Sequence, residues 1–75
     1  MAYYGKLEWL AEIRVSKGLP QDRVAAEAGI SQALYSRIER GFRPPTKSQA
    51  QAIAQVLDFD ASRFDEEEKA RRAAV

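Results

Sequence analysis

The sequence contains neither cysteine nor histidine. Without cysteine there can be no disulfide framework and no thiolate metal site, and without histidine the commonest general base of enzymes is missing. Zinc sites and the Ser-His and Cys-His pairs of nucleophilic catalysis are therefore excluded. No apolar run approaches the roughly 20 residues that cross a membrane, and the N-terminal residues lack the basic-then-apolar pattern of a signal peptide. We expect a cytoplasmic protein with no membrane partner.

The residues that are present are typical of a small globular chain. Of the 75 residues, 45% are hydrophobic and 31% are charged, a balance found in globular proteins rather than disordered ones. A domain of this size buries only about 60% of the surface of its unfolded chain, which excludes a deep cleft between two lobes. The sequence also contains no nucleophile–base pair, no set of metal ligands and no phosphate-binding glycine loop. We therefore expect a single domain that is not an enzyme, with no catalytic residues, no metal and no cofactor.

Charge is unevenly distributed along the chain. The sequence carries 12 basic and 11 acidic residues, a net charge of +1. Residues 1–47 hold eight basic and five acidic side chains, or +3, and residues 48–75 hold four and six, or −2. Four basic side chains lie within residues 37–47, where the only acid is Glu39. Such a patch is typical of a surface that binds a polyanion, although a solvated surface explains the charge by itself equally well.

Apolar residues recur at helical spacing, and no segment alternates as a strand does. Glycines separate the helical segments, and Gly18, Gly29 and Gly41 suit the left-handed residue that ends a helix. Thr46 and Gln49 have the spacing of a capping box at the start of a helix. The pattern predicts an all-α fold, a compact bundle of about five short helices. The predicted helices run from about Leu7 to Lys17, from Pro20 to Ala28, from Ser31 to Arg40, from Thr46 to Leu57 and around Phe64.

Residues 21–40 have the spacing of a helix-turn-helix. Small apolar residues on the first of its two helices, including Val24, Ala25 and Ala28, precede a sharp turn at Gly29. Ala25 is significant because two helices that cross over a three-residue turn must approach closely. In a helix-turn-helix the second helix lies in the major groove of DNA. The side chains predicted to face inward from the turn and the second helix are Ile30, Leu34, Tyr35 and Ile38.

Around this segment the chain resembles the Cro/CI-type helix-turn-helix family of bacterial and phage repressors, also called the XRE family. The resemblance extends from about Leu10 to Phe64. Its most distinctive motif is the run Ser36-Arg37-Ile38-Glu39-Arg40-Gly41 before a proline loop. The other matching positions are Ile13-Arg14, Gly18-Leu19, Gln21, Val24-Ala25, Gly29-Ile30-Ser31 and Pro45.

The resemblance implies a lambda-repressor-like DNA-binding domain over residues 1–64, with the helix-turn-helix at 21–40. A charged tail, residues 65–75, follows and is expected to be helical or frayed. Positions that usually face base edges in the family correspond to Gln32, Ala33, Leu34, Ser36 and Arg37. Positions that contact the DNA backbone correspond to Gln21, Ser31, Arg40, Arg43 and Lys47. Arg14 and Glu39 match a buried ion pair that ties the first helix to the third.

The chemistry of these side chains supports the same roles. Glutamine can bond N6 and N7 of adenine, and arginine can bond O6 and N7 of guanine, each worth about 1–3 kcal/mol of discrimination. Apolar contact from Ala33 or Leu34 suits the methyl group of thymine. The backbone amides at the start of the third helix, near Ser31, favour a phosphate. We therefore expect Gln32 and Arg37 to read bases.

Four positions depart from the family pattern. Pro20 stands where serine or threonine often caps the second helix, so a cap worth about 1 kcal/mol is lost. Tyr35 replaces an aliphatic residue, and its buried hydroxyl needs a partner or water. Phe42 replaces a residue that is often basic, and we expect a local plug or a dimer contact there rather than a DNA wedge. Trp9 is expected to be covered by the fifth helix or the tail, with a partner surface as the alternative.

The sequence thus favours a sequence-specific regulator of transcription that binds double-stranded DNA. The simplest form is a repressor that binds a palindromic operator as a homodimer, with half-sites about 34 Å apart. The alternative is an antitoxin-like or adaptor protein that holds a small protein partner and also represses its own operon.

Overall fold

A computed structural model describes residues 6–73 of the chain, with the side chains of residues 6–67 and 69. Residues 1–5 and 74–75, at the ends of the predicted domain and tail, lie outside the described residues. The described chain folds into five α-helices and contains no strand, which confirms the predicted all-α bundle. The helices are α1 (Glu8–Ser16), α2 (Gln21–Ala28), α3 (Gln32–Glu39), α4 (Lys47–Leu57) and α5 (Ser62–Ala73).

The first three helices end at the glycines that the sequence predicts. The left-handed residues after them are Gly18 at φ 68°, Gly29 at φ 75° and Gly41 at φ 82°. After α4 the left-handed residue is Asp58, at φ 59°. Aspartate tolerates this conformation better than most residues that carry a side chain. These tight turns keep α1, α2 and α3 close together in space.

Side chains cap the starts of two helices. The Ser31 hydroxyl accepts a hydrogen bond of 3.1 Å from the backbone N–H of Leu34 at the start of α3. Before α4, Thr46 and Gln49 form the predicted capping box, with bonds of 3.2 Å and 2.9 Å between each side chain and the other's backbone N–H. Pro20 precedes α2 without a side-chain cap, as its chemistry requires. Helices α3 and α4 are therefore fixed at their first turns.

The core lies where α2 packs against α3 and α4, and where α1 packs against α3. Its fully buried large side chains come from these four helices and are Leu10, Val24, Tyr35, Ile38, Ile53 and Leu57. The small side chain of Ala25, 1% exposed, lies in the same core. On α3 and α4 the fully buried residues are three and four positions apart, so each of these two helices buries one side.

An aromatic cluster joins α1 to α5. Trp9 contacts Phe59 and Phe64 edge to face, with ring centroids 5.3 Å and 5.2 Å away. The guanidinium of Arg63 covers the Trp9 ring at 4.6 Å. The fifth helix therefore covers Trp9, as the sequence predicts.

Helix α5 continues without a break through the predicted boundary between domain and tail at residues 64 and 65. The reason is local, because residues 62–73 contain neither glycine nor proline. The helix begins with Asp60 accepting a hydrogen bond of 2.9 Å from the backbone N–H of Ser62. The division of the chain at this point stays a prediction. None of the described helices is long and apolar enough to cross a membrane.

Candidate nucleic-acid interface

A three-residue connection, residues 29–31, joins α2 to α3. The backbone N–H of Gly29 donates to the carbonyl of Ala26 at 3.2 Å, and the N–H of Ile30 donates to the carbonyl of Ala25 at 3.0 Å. These two bonds form a Schellman motif, which requires a left-handed residue directly after the helix, and here that residue is Gly29. Ser31 caps α3 directly after this turn, so the connection between the two helices is short and fixed.

Helix α3 has one buried side and one exposed side. Tyr35, Ile38 and Glu39 are buried, the first two completely. Of the five residues predicted to contact bases, three are exposed and form the outer side of α3: Gln32, Ala33 and Arg37. The remaining two, Leu34 and Ser36, are half-buried and lie at its margins. The fold therefore brings Gln32, Ala33 and Arg37 together on a surface open to a ligand.

The residues predicted to contact the DNA backbone lie around this outer side. Ser31 is exposed at the start of α3, although its hydroxyl is already engaged as the helix cap. Arg40, Arg43 and Lys47 are exposed after α3 and at the start of α4. Gln21 is half-buried at the start of α2, and its amide bonds a side chain of α3.

The exposed charges of this region all have one sign. Between Ala28 and Leu57 the sequence contains a single acidic residue, Glu39, and that residue is 3% exposed. Among the described residues, no carboxylate forms an ion pair with any of the four exposed basic side chains. These are Arg37, Arg40, Arg43 and Lys47. The segment from α3 to the end of α4 therefore presents only positive charge to a polyanion, although Asp60, Asp65 and Glu67 line the same groove as Arg43 and Lys47.

The single acid of this region is neutralised inside the molecule by Arg14. Nε of Arg14 donates to Oε2 of Glu39 at 2.9 Å, and Nη2 donates to Oε1 at 3.0 Å. The amide nitrogen of Gln21 also donates to Oε1, at 3.2 Å. A third donor of Arg14, Nη1, bonds the carbonyl of Leu19 at 3.0 Å. One carboxylate thus holds α1, the first residue of α2 and the last residue of α3.

These bonds change the ionisation of the residues involved. Burial by itself would raise the pKa of Glu39, but hydrogen bonds to its carboxylate, that from Arg14 foremost, and the positive charge of Arg14 lower that pKa below its ordinary value. The same hydrogen bond raises the pKa of Arg14. Burial, followed by the nearby Glu39 carboxylate, raises the pKa of Tyr35. Although its hydroxyl lies near this carboxylate, it has no hydrogen-bond partner of ordinary geometry among the described residues.

Two contacts of the site are not predicted by the sequence analysis. The first is the bond from Gln21 to Glu39, 18 residues away. The second lies after α3, where the guanidinium of Arg40 covers the ring of Phe42 with its carbon 4.7 Å from the ring centroid. Phe42 is 40% exposed, and the expected local plug or dimer contact at this position stays a prediction. The feature of the sequence that could have revealed this stack is the placement of Arg40 and Phe42 on either side of Gly41, where the chain reverses direction.

Within the described residues, no group of three histidine, cysteine or carboxylate side chains is placed to hold a metal ion.

Comparison with known proteins gives consistent matches. Residues 10–64 match the helix-turn-helix family, which covers both α2 and α3. The chain is 38% identical over 60 residues to the uncharacterized HTH-type transcriptional regulator YqaF of Bacillus subtilis (strain 168), covering 80% of this chain and 79% of that protein. It is 45% identical over 47 residues to the uncharacterized HTH-type transcriptional regulator y4dJ of Sinorhizobium fredii (strain NBRC 101917 / NGR234), covering 63% of this chain and 61% of that protein.

Proposed function

This chain belongs to the XRE-type helix-turn-helix family of DNA-binding transcriptional regulators, and from that premise we propose that it is a cytoplasmic repressor that binds a palindromic operator as a homodimer. The observation that carries the proposal is the charge of α3 and the loop after it. Every exposed charged side chain there is basic, and the one acid of the region is buried against Arg14.

In the proposed complex the outer side of α3 lies in the major groove. Gln32 and Arg37 are long enough to reach base edges, where glutamine suits adenine and arginine suits guanine. Ala33 offers a methyl group to thymine, and Leu34 and Ser36 contact bases from the margins of the outer side. Each good bidentate contact is worth about 1–3 kcal/mol of discrimination against the wrong base.

The backbone contacts surround these base contacts. Arg40, Arg43 and Lys47 meet phosphates beyond the end of α3. Gln21 meets one at the start of α2, and Ser31 meets one at the start of α3, where backbone amides add a positive end. One N–H of the Gln21 amide is bonded to the Glu39 carboxylate, and its second N–H is the donor that meets a phosphate oxygen. Phosphate contacts set the register of α3 on the duplex and carry no sequence information themselves.

A homodimer supplies the affinity that a single small domain lacks. One domain of this size makes few base contacts, and two copies on half-sites one helical turn apart, about 34 Å, double them. Repression then needs no ligand-binding domain, because an occupied operator excludes the polymerase. The amount of protein in the cell sets the occupancy.

The experiment that tests the proposal is selection of bound sequences from a random duplex pool with the purified protein. We expect an enriched palindrome whose half-sites are separated by about 10 base pairs from centre to centre. Arg37→Ala should reduce the base preference at one position of each half-site. Arg43→Ala should weaken binding to all sequences alike. Loss of one phosphate contact should also reduce the slope of log affinity against log salt concentration by about one.

Lys69→Ala is the matched control, since Lys69 is an exposed cation of α5, outside the helix-turn-helix. Loss of this charge should change neither the base preference nor the slope of log affinity against log salt concentration. An unenriched pool together with an affinity that does not respond to salt would contradict the proposal. A small protein that co-purifies with the chain under those conditions would favour the adaptor interpretation instead.

A further inference from the structure

We propose that Phe42 is a positioning residue that holds the guanidinium of Arg40 ready for a DNA phosphate at the end of α3. The inference rests on the proposed function, because it concerns the same DNA surface. It assigns a role to an exposed aromatic side chain that the family pattern does not explain.

The backbone fixes the position of Phe42 relative to α3. The N–H of Gly41 donates to the carbonyl of Ile38 at 3.1 Å, and the N–H of Phe42 donates to the carbonyl of Arg37 at 2.9 Å. These two bonds form a Schellman motif, the same device that ends α2. The ring of Phe42 is therefore attached to a rigid part of the chain, one residue beyond the left-handed Gly41.

The ring is used as a flat surface for a cation. Phe42 is one of two large hydrophobic side chains exposed among the described residues, with 40% of its surface accessible. The guanidinium carbon of Arg40 lies 4.7 Å from its ring centroid, within the distance at which the ring face attracts a cation. The exposed phenylalanine thus has a polar neighbour that makes use of its π face.

Arg40 is exposed, and a guanidinium stacked flat on the ring keeps its hydrogen-bonding edge available. A guanidinium that stacks on a ring uses its flat face, and its N–H donors point outward in the plane of the group. Those donors match the two oxygens of a phosphate, which arginine often binds through two parallel bonds. A lysine on the same ring would lack both the flat face and the paired donors.

The benefit to DNA binding is preorganisation. An exposed arginine loses rotamer freedom when it is fixed on a phosphate, and that loss weakens binding. In this chain the stack restricts the side chain of Arg40 before DNA arrives. Phe42 thus adds no charge of its own to this surface and holds an existing charge in place.

The test is a double-mutant cycle on a random-sequence duplex of about 20 base pairs at low salt, because a phosphate contact is independent of sequence. Phe42→Leu keeps the apolar bulk and removes the π face, and we expect it to weaken binding about two- to five-fold. In an Arg40→Ala background the same substitution should have no further effect. Phe42→Trp should restore the affinity that Phe42→Leu loses.

The chain offers a matched control in the second stacked arginine. Arg63 covers Trp9 at 4.6 Å, a similar geometry, but joins α5 to α1 outside the helix-turn-helix. Arg63→Ala should leave the affinity for the duplex unchanged. Circular dichroism of every variant checks that the helices remain folded.

A second measurement does not depend on DNA. In the free protein the ring current of Phe42 should shift the Nε–Hε resonance of Arg40, and Phe42→Leu should return that resonance to the position of an unstacked arginine. An unshifted resonance in the wild type, an unchanged affinity of Phe42→Leu, or an equal loss in the Arg40→Ala background overturns the inference alone. A wild-type protein that binds no duplex at low salt overturns the proposed function and this inference with it.

Discussion

Arg14 and Glu39, 25 residues apart in the sequence, form a two-bond ion pair with distances of 2.9 Å and 3.0 Å. The pair connects α1 to the last residue of α3, and the bond from Gln21 adds the start of α2. The orientation of α3, and with it the direction in which Arg37 points, thus depends on a carboxylate that faces away from the proposed DNA surface.

Substitution of Glu39 by glutamine should reduce the free energy of unfolding by about 2–3 kcal/mol. Removing one partner of a buried pair leaves the other charge without compensation and usually costs about 3–5 kcal/mol, and we expect less because the Arg14 side chain is 15% exposed. Urea denaturation of the two proteins measures the difference. The control is Glu27→Gln, which breaks an exposed pair with Arg23 and should cost below about 0.5 kcal/mol. Equal effects of the two substitutions would show that the Arg14–Glu39 pair is no more than a surface contact.

Stability should fall in acid, and Glu39 should account for a measurable part of the fall. Because the fold lowers the pKa of Glu39, its contribution is complete above its ordinary pKa of 4.5 and is lost as the pH falls through the lower folded value. Unfolding curves between about pH 6 and pH 2 should therefore be steeper in pH for the wild type than for Glu39→Gln. Asp60, whose pKa is also lowered, is present in both proteins and cancels in the comparison. Identical pH profiles would mean that Glu39 has the same pKa in the folded and unfolded chains.

Substitution of Gly29 by L-alanine should reduce the free energy of unfolding by about 1 kcal/mol. The cause is the backbone alone, since φ is 75° and a Cβ at this position would meet no atom within 4 Å. D-alanine prefers positive φ, so the same methyl group with opposite chirality should stabilise the protein by about 0.4–1 kcal/mol. Total chemical synthesis gives both 75-residue chains, and thermal melting compares them. A loss of stability with D-alanine would point to a steric cause.

Substitution of Tyr35 by phenylalanine should raise the free energy of unfolding by about 1 kcal/mol. The ring is fully buried and its hydroxyl has no hydrogen-bond partner of ordinary geometry within residues 6–73, so the nearby Glu39 carboxylate only partly replaces the water that the hydroxyl loses. Thermal melting measures the change. Tyr35→Leu is the comparison, because it removes the hydroxyl and also part of the buried volume, and it should destabilise the protein. Destabilisation by phenylalanine would show that the hydroxyl bonds the neighbouring Glu39 carboxylate.

Local signals made most of the fold predictable. Gly18, Gly29 and Gly41 mark the helix ends because a left-handed turn excludes most other residues, and Thr46 with Gln49 marks a helix start through two reciprocal bonds. The helical period is enough to separate the exposed side of α3 from its buried side. The sequence analysis expects a helical or frayed tail after Phe64, and in the structure α5 runs on through residue 73.

The contacts that the sequence does not reveal are those between side chains distant in the chain or across a turn. Gln21 and Glu39 are separated by 18 residues, and their bond depends on how α2 and α3 cross. The stack of Arg40 on Phe42 depends on side-chain rotamers after a turn. The DNA contacts themselves stay predictions, because the reach of Gln32 and Arg37 depends on the angle at which α3 enters the groove.

Helix α3 is eight residues long, shorter than the roughly 12–15 residues that an isolated helix needs to persist in water. It exists only while the whole domain is folded, so unfolding and release of DNA are linked equilibria. Operator at a concentration 100 times the dissociation constant would stabilise the folded chain by about 2.7 kcal/mol. Cellular proteases act on the opened chain, and its population falls as ligand binds. If the chain binds an operator as proposed, molecules without one would be the first to be degraded, and the number of available sites would set the lifetime of the regulator.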